Sequence, residues 1–187
     1  MFCVTQTTQN KIEVKKSTFT SILLPYSLFE SYHDRLKKEH PKASHIIWAF
    51  RYMNEYGQVV EGGSDDGEPK GVAATPTLNI LRGHELINTA LLTVRYFGGT
   101  KLGTGGMVRA YGSSAKEVIM ISDLLTYAPK SILHFETSYT LNKRYEHFFD
   151  SHAIVYHERE FKSDCIVWDV ALTAREKVEF EAFVASL

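Results

Sequence analysis

The sequence predicts an α+β fold in two unequal parts, and three observations predict it. All twelve glycines lie between Gly57 and Gly112. Before and through that stretch, alternating strand-like runs and helical stripes succeed one another. After Tyr127 glycine vanishes and a new pattern begins: strand 132–140, helix 143–151, strand 153–161, strand 164–172, helix 174–187. That β-α-β-β-α order is most of a ferredoxin-like split motif. The chain is therefore divided into an α+β domain over 1–127 and a small ferredoxin-like α+β domain over 128–187.

The elements follow in order. Residues 1–10 are polar and read as frayed or as an edge strand. Strands are expected over 11–16 and 18–24. Ser27 and Glu30 have the spacing of a capping box, and Leu28, Tyr32 and Leu36 form a helical stripe that stops at Pro41. Residues 44–53 are aromatic and β-rich and read as a strand. Asn54 to Gly57 reads as a hairpin turn. A helix is expected over 75–81, stopped by Gly83, then a buried strand over 88–97. A long helix is expected from Gly106 to about Ser122. In the second domain Thr173 and Glu176 make another capping box.

Composition narrows the function. The 187 residues are 44% apolar, enough for an ordinary core, and the formal charge is −1. A wholly basic nucleic-acid binder is excluded, but a basic patch on a neutral body is not. Cys3 and Cys165 are too far apart in sequence for a disulfide framework or a zinc spacing, which points to a reducing cytoplasm. No basic-then-apolar leader and no membrane-length apolar run is legible. The histidines show no ligand spacing, and no residue is assigned to a metal.

Two glycine-rich runs carry the candidate chemistry. The second runs from Gly98 to Gly106, with Lys101 inside it and Arg95 and Arg109 beside it. A strand, a flexible turn and a helix start expose backbone N–H groups, and the helix dipole favours negative charge there. Arg95, Lys101, Arg109 and Lys116 are the charged side chains from Asn88 to Lys116, with no acid among them. The anion site is thus assigned to Arg95, Gly98, Gly99, Lys101, Gly103, Gly105, Gly106 and Arg109. The alternative is a tight strand-to-helix turn and nothing more. No Gly-Lys-Ser/Thr closes the run, so it is not a Walker loop.

The first run holds Glu61, Asp65, Asp66 and Glu68 and no base before Lys70. Asp65, Asp66 and Glu68 can hold Mg²⁺, act as acid and base, cap a turn, or pair with the basic loop. Pairing that braces the basic loop is the preferred picture, because clustered like charges are costly. His45 and Arg51 share one face of the 44–53 strand and, with Tyr96, form a possible additional surface. Trp48, Phe50 and Tyr52 share the other face, as a stacking platform or as core.

Residues 62–117 resemble the IMPACT/YigZ family of conserved cytoplasmic proteins. The matching runs are SDDGEP from Ser64 to Pro69, RYFGGTKLGTGG from Arg95 to Gly106, and VRAYG from Val108 to Gly112. Similarity extends upstream through KSTF from Lys16 and ASHIIWAFR from Ala43. The resemblance implies a first domain like the second domain of a ribosomal protein, with a left-handed β-α-β arrangement. It implies a ferredoxin-like second domain similar to one in elongation factor G. It also implies a link to translation regulation and no established enzymatic activity. The chain departs from the family after Pro69, where Lys70-Gly-Val-Ala-Ala74 stands for the usual Ser-Gly-Thr-Ala-Gly.

The resulting expectation is a non-enzymatic cytoplasmic protein that binds RNA, the ribosome or translation-associated partners, with no cofactor. The alternatives are a phosphate- or nucleotide-handling enzyme of kinase-like fold using Mg²⁺, and a protein-interaction module without nucleic acid.

Overall fold

A computed structural model describes residues 1–154 and 156–187, the side chain of His157 excepted. It comprises two compact units, Met1–Tyr127 and Ala128–Leu187. In chain order the first holds β1 (Phe2–Cys3), β2 (Thr8–Val14), β3 (Ser17–Pro25), α1 (Phe29–Glu39), β4 (His45–Met53), β5 (Val59–Ser64), α2 (Ala74–Gly83), β6 (Thr89–Tyr96), α3 (Thr104–Met120) and β7 (Leu125–Thr126). The second holds β8 (Lys130–Thr137), α4 (Asn142–Ser151), β9 (Tyr156–Phe161), β10 (Ile166–Thr173) and α5 (Ala174–Ala185).

An antiparallel sheet in the order β2-β3-β6-β4-β5 is the frame of the first unit. β6 is covered on both faces, which is why its sequence is apolar almost without alternation. On one face Ile22, Leu24, Ile46, Leu92 and Val94 pack under Phe29 and Leu36 of α1. Trp48 and Phe50 join that cluster with stacked rings 5.5 Å apart. Trp48 and Phe50 are thus part of the core. On the opposite face Leu23, Ala49 and Leu91 meet Leu81 of α2 and Ala115, Val118 and Ile119 of α3. A polar seam crosses this layer: Ser21 Oγ lies 2.8 Å from Thr93 Oγ1 and 2.7 Å from Ser114 Oγ. Each buried hydroxyl therefore has a partner, and these hydrogen bonds offset the desolvation where α3 packs on the sheet.

Several boundaries differ from the sequence reading. Of the two readings of the first ten residues, the edge strand holds and fraying does not: β1 pairs with β7, and β2, an edge of the five-stranded sheet, begins at Thr8 and not at residue 11. The capping box at Ser27 does not form. The chain enters α1 through a 3-10 turn over Tyr26–Leu28, so Ser27 is already wound into helical backbone and caps nothing. The long helix starts at Thr104, which puts Gly105 and Gly106 inside its first turn.

The second unit is a three-stranded antiparallel sheet in the order β8-β10-β9. Tyr145 and Phe149 of α4 and Phe180 of α5 cover Trp168 and Val170 on one face. The buried indole N–H donates to Thr137 Oγ1 at 2.9 Å, which satisfies the one polar atom of that core side chain. The strand expected over 153–161 is observed from Tyr156; Val155 lies outside the described residues. Here the expected capping box does form. Glu176 N donates to Thr173 Oγ1 at 3.2 Å, and Thr173 N to Glu176 Oε2 at 2.7 Å.

The two Ser/Thr–Glu signatures therefore differ in a measurable way. Thr173→Ala should cost about 1 kcal/mol of second-unit stability, the usual value of an N-cap. Ser27→Ala should cost nothing resolvable in the first. Urea denaturation followed by Trp168 fluorescence in a Trp48→Phe background, and by Trp48 in the reverse background, checks both.

Candidate functional site

The loop between β6 and α3 is held by its backbone. Phe97 N donates to Ser44 Oγ at 3.1 Å and Gly98 N to Ser17 Oγ at 3.0 Å. A Cβ at Gly98 would stand 2.0 Å from the Lys16 carbonyl carbon, so only glycine lets this strand end lie against the β2–β3 turn. Gly103, at φ 71°, turns the chain into α3 from the left-handed region and offers no side-chain cap. The opening N–H groups of the helix have no intrahelical acceptor. No acidic side chain occupies the first turn. This end of a 17-residue helix therefore carries positive potential with donors to spare.

The predicted cations divide. Lys101 and Arg109 are exposed, and among the described residues neither enters an ion pair. The Arg109 guanidinium reaches back over the first turn, Nη1 lying 3.6 Å from the position of a Cβ on Gly105. Arg95 is different, and its assignment as a phosphate contact is corrected. It is 5% exposed, because its side chain projects from β6 onto the face that α3 covers. A bare buried guanidinium would be prohibitive, and Glu68 neutralises it through Nη1–Oε1. Tyr111 Oη of α3 donates to the same Oε1 at 2.7 Å. The His45 Nε2 stands 3.7 Å from Glu68 Oε2. Burial, with the carboxylate beside it, pushes the Tyr111 phenol far above its ordinary range, so it stays a donor.

The acidic loop is a scaffold in which each carboxylate has its own task. Asp65 accepts from the backbone N–H groups of Gly71, Ala73 and Ala74 at 2.7, 3.0 and 2.8 Å, which fixes the start of α2. Asp66 accepts from Ile46 N at 2.6 Å, and its carbonyl oxygen lies 2.7 Å from His45 Nδ1. Glu61 takes Arg51 and Arg82. Only Glu68 braces the basic side, through Arg95. No three of the described His, Cys, Asp or Glu side chains are grouped to hold a metal ion, and these carboxylates diverge toward separate donors.

Of the additional surface, only part gathers here. The β4–β6 register puts His45 opposite Arg95 but Arg51 opposite Thr89, six residues further along. Arg51 is spent there on Glu61 and on the Leu86 carbonyl at 2.9 Å. Tyr96 faces away from Arg95, with its hydroxyl 3.0 Å from His40 Nδ1. Two contributors escaped the sequence reading. Tyr111 stood in the VRAYG run but with no role assigned to it. Lys15 lies on the β2–β3 turn and lines, with Leu102, Gly106 and Arg109, a cavity of about 280 Å³. Its one sequence signal was a Lys-Lys pair ahead of Ser17.

The family model described as the Impact N-terminal domain matches residues 15–119, which contain both glycine runs and α3. The chain belongs to the IMPACT family. It is 35% identical over 130 residues to an IMPACT family member of Haemophilus influenzae, covering 68% of this chain and 63% of that one. Against IMPACT family member YvyE of Bacillus subtilis it is 33% identical over 142 residues, covering 74% and 64%. The matches thus span just under two thirds of those two relatives. Against IMPACT family member YigZ of Escherichia coli the identity is 33% over 183 residues, covering 92% and 86%. A solved structure described as a hypothetical protein superposes with a TM-score of 0.76 at 26% identity, over 99% of this chain and 91% of that one. Among the described residues no helix is long and apolar enough to cross a membrane.

The IMPACT-type site makes two predictions. Arg95→Met strands a buried carboxylate and should cost about 3–5 kcal/mol, while Arg95→Met with Glu68→Gln should cost markedly less. Chemical denaturation of the two variants reads the difference. For Asp65, burial raises the carboxyl pKa, but the Gly71, Ala74 and Ala73 N–H groups outweigh it and hold it below the ordinary range. Its stabilisation is complete above the unfolded-state pKa and is lost as pH falls through the lowered folded value. Asp65→Asn should therefore flatten the acid limb of first-unit stability, measured as Tm against pH.

Proposed function

We propose that this protein is a non-catalytic RNA-binding protein of the translation apparatus, acting in the cytoplasm. One observation carries the reading: Lys101 and Arg109 stand exposed and without ion pairs among the described residues, flanking the uncapped start of α3, while the acidic residues nearby are engaged elsewhere. Phosphate is the anion that such donors and cations suit best. Lys116 follows Arg109 by seven residues on α3, two helical turns or about 10 Å. Both line the groove between α2 and α3. With Lys15 beyond Gly106, the cations form a track rather than a single point, which suits a polymer of phosphates. The family resemblance to a ribosomal-protein domain supports RNA as that polymer. Arg95, Glu68 and Tyr111 serve this surface from beneath by fixing where β6 ends and α3 begins.

Each phosphate contact on a single strand adds roughly −0.7 to the slope of log affinity against log salt. Lys101→Ala with Arg109→Ala should therefore weaken binding to short RNAs of any sequence and reduce that slope in magnitude by about 1.4. Fluorescence anisotropy across a salt series measures it. Unchanged affinity and slope in the folded double variant would refute the reading.

A further inference from the structure

Gly112 stands in the middle of α3, and nothing among the described residues requires a glycine there. Glycine lowers the stability of a helix relative to alanine, and it is used where the backbone is left-handed or where something comes very close. The backbone at Gly112 is ordinary right-handed helix. Beyond its chain neighbours and the helix's own backbone, a Cβ on it would meet no described heavy atom within 4 Å. Gly98 shows the contrast, since a Cβ there would collide with the Lys16 carbonyl carbon at 2.0 Å. The space over Gly112 is open, so the close neighbour comes from outside the molecule.

That space is a groove of about 460 Å³ between α2 and α3, well apart from the loop that opens α3. Asn79 and Ile80 line it from α2, and Arg109, Gly112 and Lys116 line it from α3. Arg109 precedes Gly112 by one helical turn and Lys116 follows it by one, so the two cations bracket the open floor on the same face. Among the described residues no carboxylate lines the groove, and neither cation enters an ion pair. Asn79 accepts from Arg82 Nη1 through Oδ1 at 3.1 Å, which leaves its amide N–H groups to donate from the α2 side.

We infer that the phosphate backbone of a single RNA strand lies in this groove and makes its closest approach to the protein at Gly112. The inference rests on the RNA-binding reading and deepens it by locating the path of the strand. Charge selects the occupant. A polyanion gains from both cations, whereas an apolar helix laid on the same floor would cover them without a partner. The missing side chain sets the depth. A methyl or larger group at position 112 stands between strand and helix and lifts the phosphates from Arg109 and Lys116 together. Gly112 is thus a positioning residue, and its stability cost is the signature of a contact made only in the complex.

The test uses the full chain and a labelled single-stranded oligouridylate, followed by fluorescence anisotropy, with Tm measured in parallel. Gly112→Ala should raise the Tm by about 3 °C, as alanine for glycine does inside a helix. It should nevertheless weaken RNA binding about threefold, and Gly112→Leu about tenfold, the effect of forcing extra methylenes into a filled contact. Gly83→Ala is the control: it lies in equally open space at the exposed end of α2, outside the groove, and should leave affinity unchanged. In a Lys116→Ala background the leucine should cost less than it does alone, because it disturbs a contact already weakened. If Gly112→Leu does not fold, Gly112→Ala decides. Wild-type affinity in a folded Gly112 variant, or full additivity with Lys116→Ala, overturns the inference. If affinity then still depends on Lys101 and Arg109, the RNA-binding reading survives; if that dependence is also missing, both fall.

Discussion

A buried ion pair organises the first unit. Glu68 leaves the acidic loop, Arg95 leaves the end of β6, and they meet almost wholly buried. Tyr111 closes the arrangement from α3. Three segments far apart in sequence are thereby locked into one geometry. A pair of this kind contributes little net stability, since the desolvation of both ions offsets their attraction. Its value is positional: any other register of the loop, the strand or the helix leaves a charge stranded. The glycine loop above it can then be open in backbone and still be fixed in place.

The same arrangement separates supporting charge from working charge. Arg95 and Arg109 look alike in the sequence, and both lie near the glycine run. β6 carries Arg95 onto its covered face, whereas α3 carries Arg109 onto its solvent face. The carboxylates are sorted in the same way. Asp65 serves the start of α2, Asp66 serves β4, and Glu68 serves the pair. What remains outside is a surface on which, among the described residues, Lys101 and Arg109 have no ion pair.

Much of the architecture was readable from the residues because local periodicity and packing agree. The runs read over 11–16, 18–24, 44–53 and 88–97 each present the pattern of the strand they largely form, β2, β3, β4 and β6. The capping signature at Ser27 misled because it reports only side-chain spacing. Backbone angles before α1, set by the 3-10 entry after Pro25, decide whether such a spacing is used. Among the site residues, the exposed pair Lys101 and Arg109 was legible from charge bias around glycine. The inward turn of Arg95 was not, because the face a strand residue occupies depends on what covers the sheet. Lys15 escaped because its proximity to Arg109 arises from the packing of α3 against β2 and β3, which no local pattern reports.

One pairing has a consequence for how the first unit can be handled. β1 lies against β7, and Tyr127 N donates to the Met1 carbonyl at 3.0 Å. The two ends of that unit are thus neighbours in space. Its topology is close to a ring, so a short peptide joining residue 127 to residue 1 can replace the natural opening, with new termini cut into an exposed turn such as the one around Tyr56.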